Sequence, residues 1–355
     1  MIRFVENKLN NVTVLITSIS QREITIRTAN YYSEMCSEVI IVDEEQPHLP
    51  IAEINAMSKR GITYVAYKNI NFSAGGVKKN YEKRMIAASL SNNKYVVHSN
   101  HDERYTYFGM KACIAELEKD KSLTFCIGQA IAIRRNESGI YFTRSYKNLC
   151  GYKNINKINQ RLYYHAKIYA PLAHYSIWRK QSYIDATEKF IRIKELISSS
   201  TILEEVVFEL AADMTGNSVA LPELFWIRNR INAPVTMSLD NKITRGEQAF
   251  VIFEKYLNVL FESLDDIQLN IIMNSLRVHF FNVVTSSKLR RKINSLIKRS
   301  LFFLKEKKRL SDVVERWHDI DALLHQNNII YEKWDISNVL KSMDYKDNSH
   351  KLVEK

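Results

Sequence analysis

Turn-forming residues are scarce, with nine glycines and five prolines in 355 residues. A chain so poor in them is not a many-turned all-β protein. The four cysteines, Cys36, Cys113, Cys126 and Cys150, include no C-x-x-C pair. That spacing argues against zinc ligation and suits buried free thiols in a reducing compartment. No stretch reaches the roughly 18 uncharged apolar residues of a membrane span. The segment Met1–Lys8 has no apolar h-region of the kind that marks a secretory signal. There is no zinc finger and no RNP1-like aromatic sequence. These absences predict a cytoplasmic protein, with peripheral contact to the inner face of the cell membrane as an option. Acidic residues are also few relative to basic ones, 39 against 51, which leaves a net charge of +12. The partner is then acidic: a phosphorylated substrate, an anionic membrane surface or nucleic acid.

What is present reads as alternating strands and helices. Val12–Ser18 and Glu38–Asp43 are β-branched apolar runs, followed by Ile62–Tyr67 and Lys94–Ser99. Helical stretches lie between them at Arg22–Met35, Ile51–Lys59 and Lys78–Leu90. A β-α-β-α-β-α-β order predicts a mostly parallel sheet flanked by helices. Leu123–Arg134 and Ile140–Arg144, around a turn at 136–139, are expected as antiparallel additions. After Asn232-Ala-Pro234 the pattern turns helical, over Gln248–Leu264, Ile267–Val284, Leu289–Lys305 and Leu310–Gln326. Two units follow from this: an α/β catalytic unit over 1–232 and a C-terminal helical region over 233–355.

The fourth strand stops at Asn100-His-Asp-Glu-Arg104. Carboxylates at the carboxyl edge of a parallel sheet sit where open α/β sheets bind ligands. Asp102 and Glu103 offer hard oxygen ligands suited to manganese or magnesium, and His101 beside them can still ligate manganese. The bland alternative is a solvated loop in which Asp102 caps the next helix.

Four motifs in order then resemble the nucleotide-sugar-dependent glycosyltransferases of the GT-A fold, in particular those of bacterial surface polysaccharide and lipopolysaccharide synthesis. Leu15-Ile-Thr-Ser-Ile-Ser-Gln-Arg22 is similar to their first strand and turn. Val39-Ile-Ile-Val-Asp43 is similar to the strand whose aspartate holds the nucleotide. Glu82-Lys83-Arg84 matches their basic helix, and Tyr95-Val-Val-His-Ser-Asn-His-Asp-Glu-Arg104 matches their D-x-D strand. The similarity spans about residues 12–135. It implies a GT-A-like, Rossmann-like sheet and donor contacts from Thr17, Ser18, Arg22, Asp43, Lys83, Arg84, Asn100, Asp102 and Arg104. It also implies a cation held by His101, Asp102 and Glu103. The departure from D-x-D keeps metal independence open, with Lys83, Arg84 or Arg104 then neutralising the phosphates.

The same resemblance places the base near the start of a later helix, where Glu204 and Glu205 stand. Thr201-Ile-Leu-Glu204 is also a capping box, in which Glu204 serves the helix end and Glu205 is solvated. His165 and His174, among tyrosines, read first as packed residues and second as acceptor or donor contacts, and Trp178 and Trp226 first as core and second as rings that stack on a sugar. Over 288–309 the apolar residues fall on one helical face and ten Lys or Arg crowd the rest. That pattern suits an anionic membrane surface or a solvated basic face.

The function expected is transfer of a sugar from a nucleotide-sugar donor to a saccharide or lipid-linked acceptor, with inversion. A nucleotidyltransferase would show a glycine-rich turn after strand one, and Thr17–Arg22 contains no glycine. The other readings are a nucleic-acid-binding protein, supported only by charge, and an inactive glycosyltransferase-like scaffold.

Overall fold

The computed structural model describes residues 7–18, 21–67, 76–101, 103–136, 139–146, 149, 155, 157–158, 160–162, 165, 172–194, 201–231 and 319–343, with backbone alone at 76–79, 136, 193–194 and 201–206. The helices expected between 248 and 318, the basic stretch 288–309, the boundary at 232–233 and Cys150 lie outside these residues.

Four strands form the parallel half of the sheet: β1 (Leu9–Ser18), β2 (Cys36–Asp43), β3 (Ile62–Ala66) and β4 (Tyr95–Ser99). Helices α1 (Arg22–Ser33), α2 (Ile51–Ser58) and α3 (Gly76–Leu90) connect them. Val12, Val14, Leu15 and Ile16 are all fully buried, as are Tyr95, Val96 and Val97. Strands covered on both faces need such uninterrupted apolar runs. The remainder is β5 (Glu103–Tyr105), α4 (Tyr107–Lys119), β6 (Leu123–Asn136), β7 (Gly139–Ser145), β8 (Ile177–Arg179), α5 (Lys180–Lys194), α6 (Thr201–Asp213) and β9 (Asn217–Asn229). Two short helices follow, α7 (Ile320–Gln326) and α8 (Lys333–Ser342).

The described strands form one sheet in the order β3-β2-β1-β4-β8-β6-β9-β5, with β7 on β6. The pairs β1–β2, β1–β4, β2–β3 and β6–β9 are parallel; those of β8, of β5 and of β7 are antiparallel. The hairpin expected at 123–144 is therefore present as β6–β7. The other long edge of β6 takes β9 in parallel. Close approach of α4 to β9 depends on Gly109, where a Cβ would stand 2.4 Å from the Leu224 carbonyl.

The segment 319–343 packs on this sheet. Ile330 is bonded on both sides, from the Leu224 amide (2.7 Å) and to the Pro222 carbonyl (3.1 Å). Leu323, Leu324, Ile329, Ile336 and Val339 complete an apolar cluster with Ile131, Ile133, Phe142, Leu224 and Ile227. Each such side chain, once covered, contributes roughly 1.5–3 kcal/mol. Asp335 on α8 reaches the start of α4 and accepts the Phe108 amide at 2.7 Å. Thr106 caps the same helix by accepting the Gly109 amide at 3.1 Å. Two side chains thus share the orphan amides of that helix start. The cap expected of Asp102 is in this way supplied by Thr106 and Asp335.

Candidate active site

Strand order locates the site. From β1 the chain passes through α1 to β2 on one side, and through α3 it returns to β4 on the other. The carboxyl ends of β1 and β4 therefore border the switch point, the crevice where open α/β sheets take ligands. Side-chain alternation divides the two faces there. Ser99 meets Tyr32 of α1 (2.9 Å), whereas Thr17 and His98 face α3, with Thr17 donating to Asn80 at 2.7 Å.

Asp43 ends β2 at the same edge. Its Oδ2 accepts Arg22 Nε at 2.7 Å and the Tyr64 hydroxyl at 2.6 Å, and its Oδ1 accepts the Glu45 amide at 3.1 Å. Burial opposes its charge, but the bonds from Tyr64 and Arg22 outweigh that and hold the carboxyl below its usual range. Burial and the same bond push Tyr64 up to about 12. Arg22 also donates to the carbonyls of Pro47 (2.6 Å) and Glu45. Its guanidinium thus fastens the loop after β2. The Glu45 carboxylate in turn accepts the first amide of α1 at 3.1 Å, a favourable place for negative charge.

Lys83 and Arg84 of α3 are both buried beneath the crevice. Lys83 Nζ donates to the Ser18 carbonyl at 3.0 Å and lies 3.3 Å from Glu44. Burial lowers its pKa and Glu44 resists the change. Arg84 is different: it forms no ion pair among the described residues. Its Nη2 donates to His174 Nε2 at 3.1 Å, its Cζ lies 4.5 Å from the Tyr81 ring centroid, and its Nε has no hydrogen-bond partner among them. A buried cation is costly unless a charge or a set of bonds compensates it. His98 Nε2 sits 3.3 Å from the Thr17 hydroxyl. Because Thr17 donates to Asn80, His98 donates to Thr17, and its bare Nδ1 is unpartnered, as is Ser18 Oγ. Burial, then Arg84, push both His98 and His174 well below the usual histidine range, so both rings are neutral.

The loop after β4 is arranged from within. Asn100 turns it by accepting the Glu103 amide at 3.3 Å. His101 is half-buried and its carbonyl accepts Thr28 of α1 at 3.0 Å. Asp102 lies outside the described residues. Glu103 points into the sheet edge, 3.2 Å from Arg228 Nε and 3.7 Å from Arg230. Burial acts against the Arg228 charge, but Glu103 and the tyrosines 146 and 175 raise its pKa. Arg104 donates to the carbonyls of His101 (2.9 Å) and Glu103 (2.8 Å) and to Ser342 of α8 (3.2 Å), with Tyr31 5.8 Å away.

Two expectations from sequence therefore meet different geometry. Glu103 faces two guanidinium groups, which does not fit a carboxylate ligand of a cation shared with His101. Arg104 is turned inward to hold the loop, which does not fit a direct phosphate contact. Among the described residues no cluster of three His, Cys, Asp or Glu side chains could hold a metal ion.

The backbone of Glu204 and Glu205 forms the first turns of α6. Further along, that helix carries two acids that composition did not single out. Glu209 accepts the amides of Ala173 (2.7 Å) and His174 (2.8 Å), and Asp213 lies 2.6 Å from His165 Nδ1. His165 Nε2 is 3.5 Å from Glu209. Burial raises the Asp213 pKa against the pull of His165 and Arg161. His165 is a packed residue in this arrangement, as are Trp178 and Trp226. The only sequence signal for Glu209 was its i, i+4 spacing from Glu205.

No protein-family model and no curated protein matches the chain. Solved structures do match. S. aureus TarS 1–349 superposes with a TM-score of 0.51 at 11% identity, covering 94% of this chain and 90% of that chain. The same protein in complex with UDP-GlcNAc gives 0.46 at 11% identity, over 77% of this chain and 73% of that chain. In complex with UDP it gives 0.45 at 12%, over 76% and 72%. The likeness is one of fold: an α/β, mostly parallel sheet with flanking helices, GT-A-like as the sequence motifs implied.

Proposed function

We propose that the protein is a nucleotide-sugar-dependent glycosyltransferase that moves a sugar to a saccharide or lipid-linked acceptor. The observation that carries this reading is the buried Arg84 at the switch point, a cation with neutral partners beside Lys83. Transfer breaks the bond between the anomeric carbon and a phosphate oxygen, and the departing nucleotide gains negative charge. A fixed cation in a water-poor site stabilises that charge more than it stabilises the intact donor. Asp43, held ionised by Tyr64 and Arg22, is the group suited to accept hydrogen bonds from a nucleoside hydroxyl or base. Glu204 or Glu205, at the start of α6, would take the proton from the acceptor hydroxyl as it attacks, with inversion.

Since Glu103 is engaged by Arg228 and Arg230, we assign phosphate neutralisation to Arg84 and Lys83. TarS has been crystallised with UDP and with UDP-GlcNAc, which makes uridine donors the first to try. Among the described residues no helix is long and apolar enough to cross a membrane. Contact with an anionic surface through 288–309 belongs to the same proposal, as the way to reach a lipid-linked acceptor.

Thermal shift of the purified full chain tests the reading, using UDP, GDP, CMP and dTDP with and without manganese. One nucleotide should raise the apparent stability in proportion to its occupancy, and without manganese. Arg84→Ala should abolish that shift. A shift that needs manganese would return the cation role to the 101–103 loop. Donor binding with no sugar release or transfer would leave a scaffold. A shift with a short DNA or RNA, and with none of the four nucleotides, would overturn the proposal.

A further inference from the structure

Arg84 stands on α3 and Glu209 on α6, and between them runs a continuous set of contacts through His174. The Glu209 carboxylate takes two successive amides, Ala173 on Oε2 and His174 on Oε1, at 2.7 and 2.8 Å. That grip fixes the backbone of the short 3₁₀ turn Ala173–Tyr175. Leu172 at the start of the turn is buried and the Ala173 carbonyl accepts Trp178 Nε1 at 2.7 Å, so the turn is held from both sides. The ring of His174 then projects to Arg84.

Hydrogen-bond distances at that ring favour one arrangement. Arginine only donates, so the nitrogen nearest to it must be bare. That nitrogen is Nε2, 3.1 Å from Nη2, while Nη1 lies farther off, 3.5 Å from Nδ1. The neutral ring therefore carries its proton on Nδ1, which has the Tyr81 hydroxyl at 3.3 Å. The ring also stands edge-on to Tyr81, with centroids 6.2 Å apart, and to His98, at 5.9 Å. Packing holds the ring in place, and the shorter contact to Arg84 favours the tautomer with the proton on Nδ1. No carboxylate forms an ion pair with Arg84 among the described residues; His174 accepts from its Nη2, and the Tyr183 hydroxyl is a second neutral group beside the guanidinium.

We infer that His174 is a positioning residue. Its bare Nε2, placed by Glu209, orients Arg84 so that the remaining guanidinium edge meets the phosphates of the donor. A neutral acceptor suits this task better than a carboxylate would. It fixes direction without cancelling the charge that the phosphates need. The inference rests on the glycosyltransferase reading, since it takes a nucleoside phosphate as the ligand of Arg84.

Side-chain amides discriminate the two ring nitrogens. The glutamine oxygen reaches about as far as Nε2, and the asparagine oxygen about as far as Nδ1. The test compares the full chain with its His174→Leu, His174→Asn and His174→Gln variants. Calorimetric titration would use UDP, GDP, dTDP and CMP, each beside its own nucleoside as a phosphate-free control. Leu and Asn should weaken binding of the nucleoside phosphate by about ten-fold, the order expected for one charge-assisted hydrogen bond. Gln should recover most of that loss, and none of the three should change nucleoside binding. The free wild-type protein, labelled with ¹⁵N at histidine, should show His174 protonated at Nδ1.

Equal losses for Gln and Asn, or a parallel loss of nucleoside binding, would overturn the inference and leave His174 a packing residue. So would a proton on Nε2. A wild-type protein that binds none of the four nucleotides would instead overturn the functional reading, and with it the ligand assigned to Arg84. The tautomer measurement separates the two failures, because it needs no ligand.

Discussion

Replacing Asp335 with asparagine should remove a pH dependence from the stability of this protein. Asp335 is buried at the start of α4, with Oδ2 on the Phe108 amide. Burial is the largest influence on its carboxyl and pushes it from 3.8 up to about 6, against the pull of the Phe108 and Tyr107 amides. An acid whose folded pKa lies above its unfolded one takes up a proton on folding. Its stabilising contribution is therefore complete below about pH 4 and is lost as the pH rises through 6. The interval between the two values corresponds to about 3 kcal/mol at neutral pH. Asparagine keeps an oxygen for the Phe108 amide and never ionises. Urea unfolding of both proteins from pH 4.5 to 7.5 isolates this group, because the other titrating residues cancel in the difference. The gap should move by about 2 kcal/mol in favour of asparagine over that range. A constant gap would mean that the carboxyl titrates normally. A gap that moved the other way would mean that the charged cap on α4 outweighs its burial.

Other expectations follow from single contacts. Gly109→Ala places a Cβ 2.4 Å from the Leu224 carbonyl and should destabilise by about 1–3 kcal/mol in denaturant unfolding; a change near zero would mean that α4 can slide on β9. Arg228→Met removes the nearest counter-charge of buried Glu103 and should cost about 3 kcal/mol, much of it recovered in the double variant with Glu103→Gln, so additivity would refute the pairing. Ser342→Ala removes one bond to Arg104 and should cost about 1 kcal/mol, and slower sugar transfer at unchanged nucleotide affinity would trace the effect to the 100–104 loop. Asp43→Asn weakens what Tyr64 and Arg22 hold, and should lower the nucleotide-induced thermal shift more than Glu45→Ala does.

The parallel half of the sheet was legible because its determinants are local. Val12–Ser18, Glu38–Asp43 and Lys94–Ser99 are apolar runs that end where polar residues begin, and the strands stop there within a residue or so. The switch point follows from their order, and with it the neighbourhood of Thr17, Ser18, Asp43 and Lys83. The charged run after β4 was not legible. Glu103-Arg-Tyr105 looks like a solvated or metal-binding loop, yet it is a strand, because Glu103 pairs in register with Arg228, 125 residues away. The distant guanidinium groups of Arg228 and Arg230 make a buried glutamate tolerable there. The direction of Arg104 depends in the same way on Ser342. His174 and Glu209 were obscured for a related reason. A histidine among tyrosines reads as core, and here the core residue lies against the Arg84 guanidinium.

The tie between Asp335 and Phe108 spans 227 residues of chain. A ribosome that adds roughly 5–20 residues each second needs on the order of ten seconds or more to cover that distance. Through that interval α4 has emerged with one of its two caps, and in its second half, once β9 is made, Leu224, Ile131 and Ile133 lack the side chains of 323–339 that will cover them. Arg104 has no Ser342 to bond. The newborn protein therefore presents a nearly finished sheet with an uncovered apolar edge and a 100–104 loop still without its C-terminal anchor. Synthesis is the stage at which chaperone capture and aggregation compete most directly for this chain, and a translational pause after β9 would lengthen that exposure.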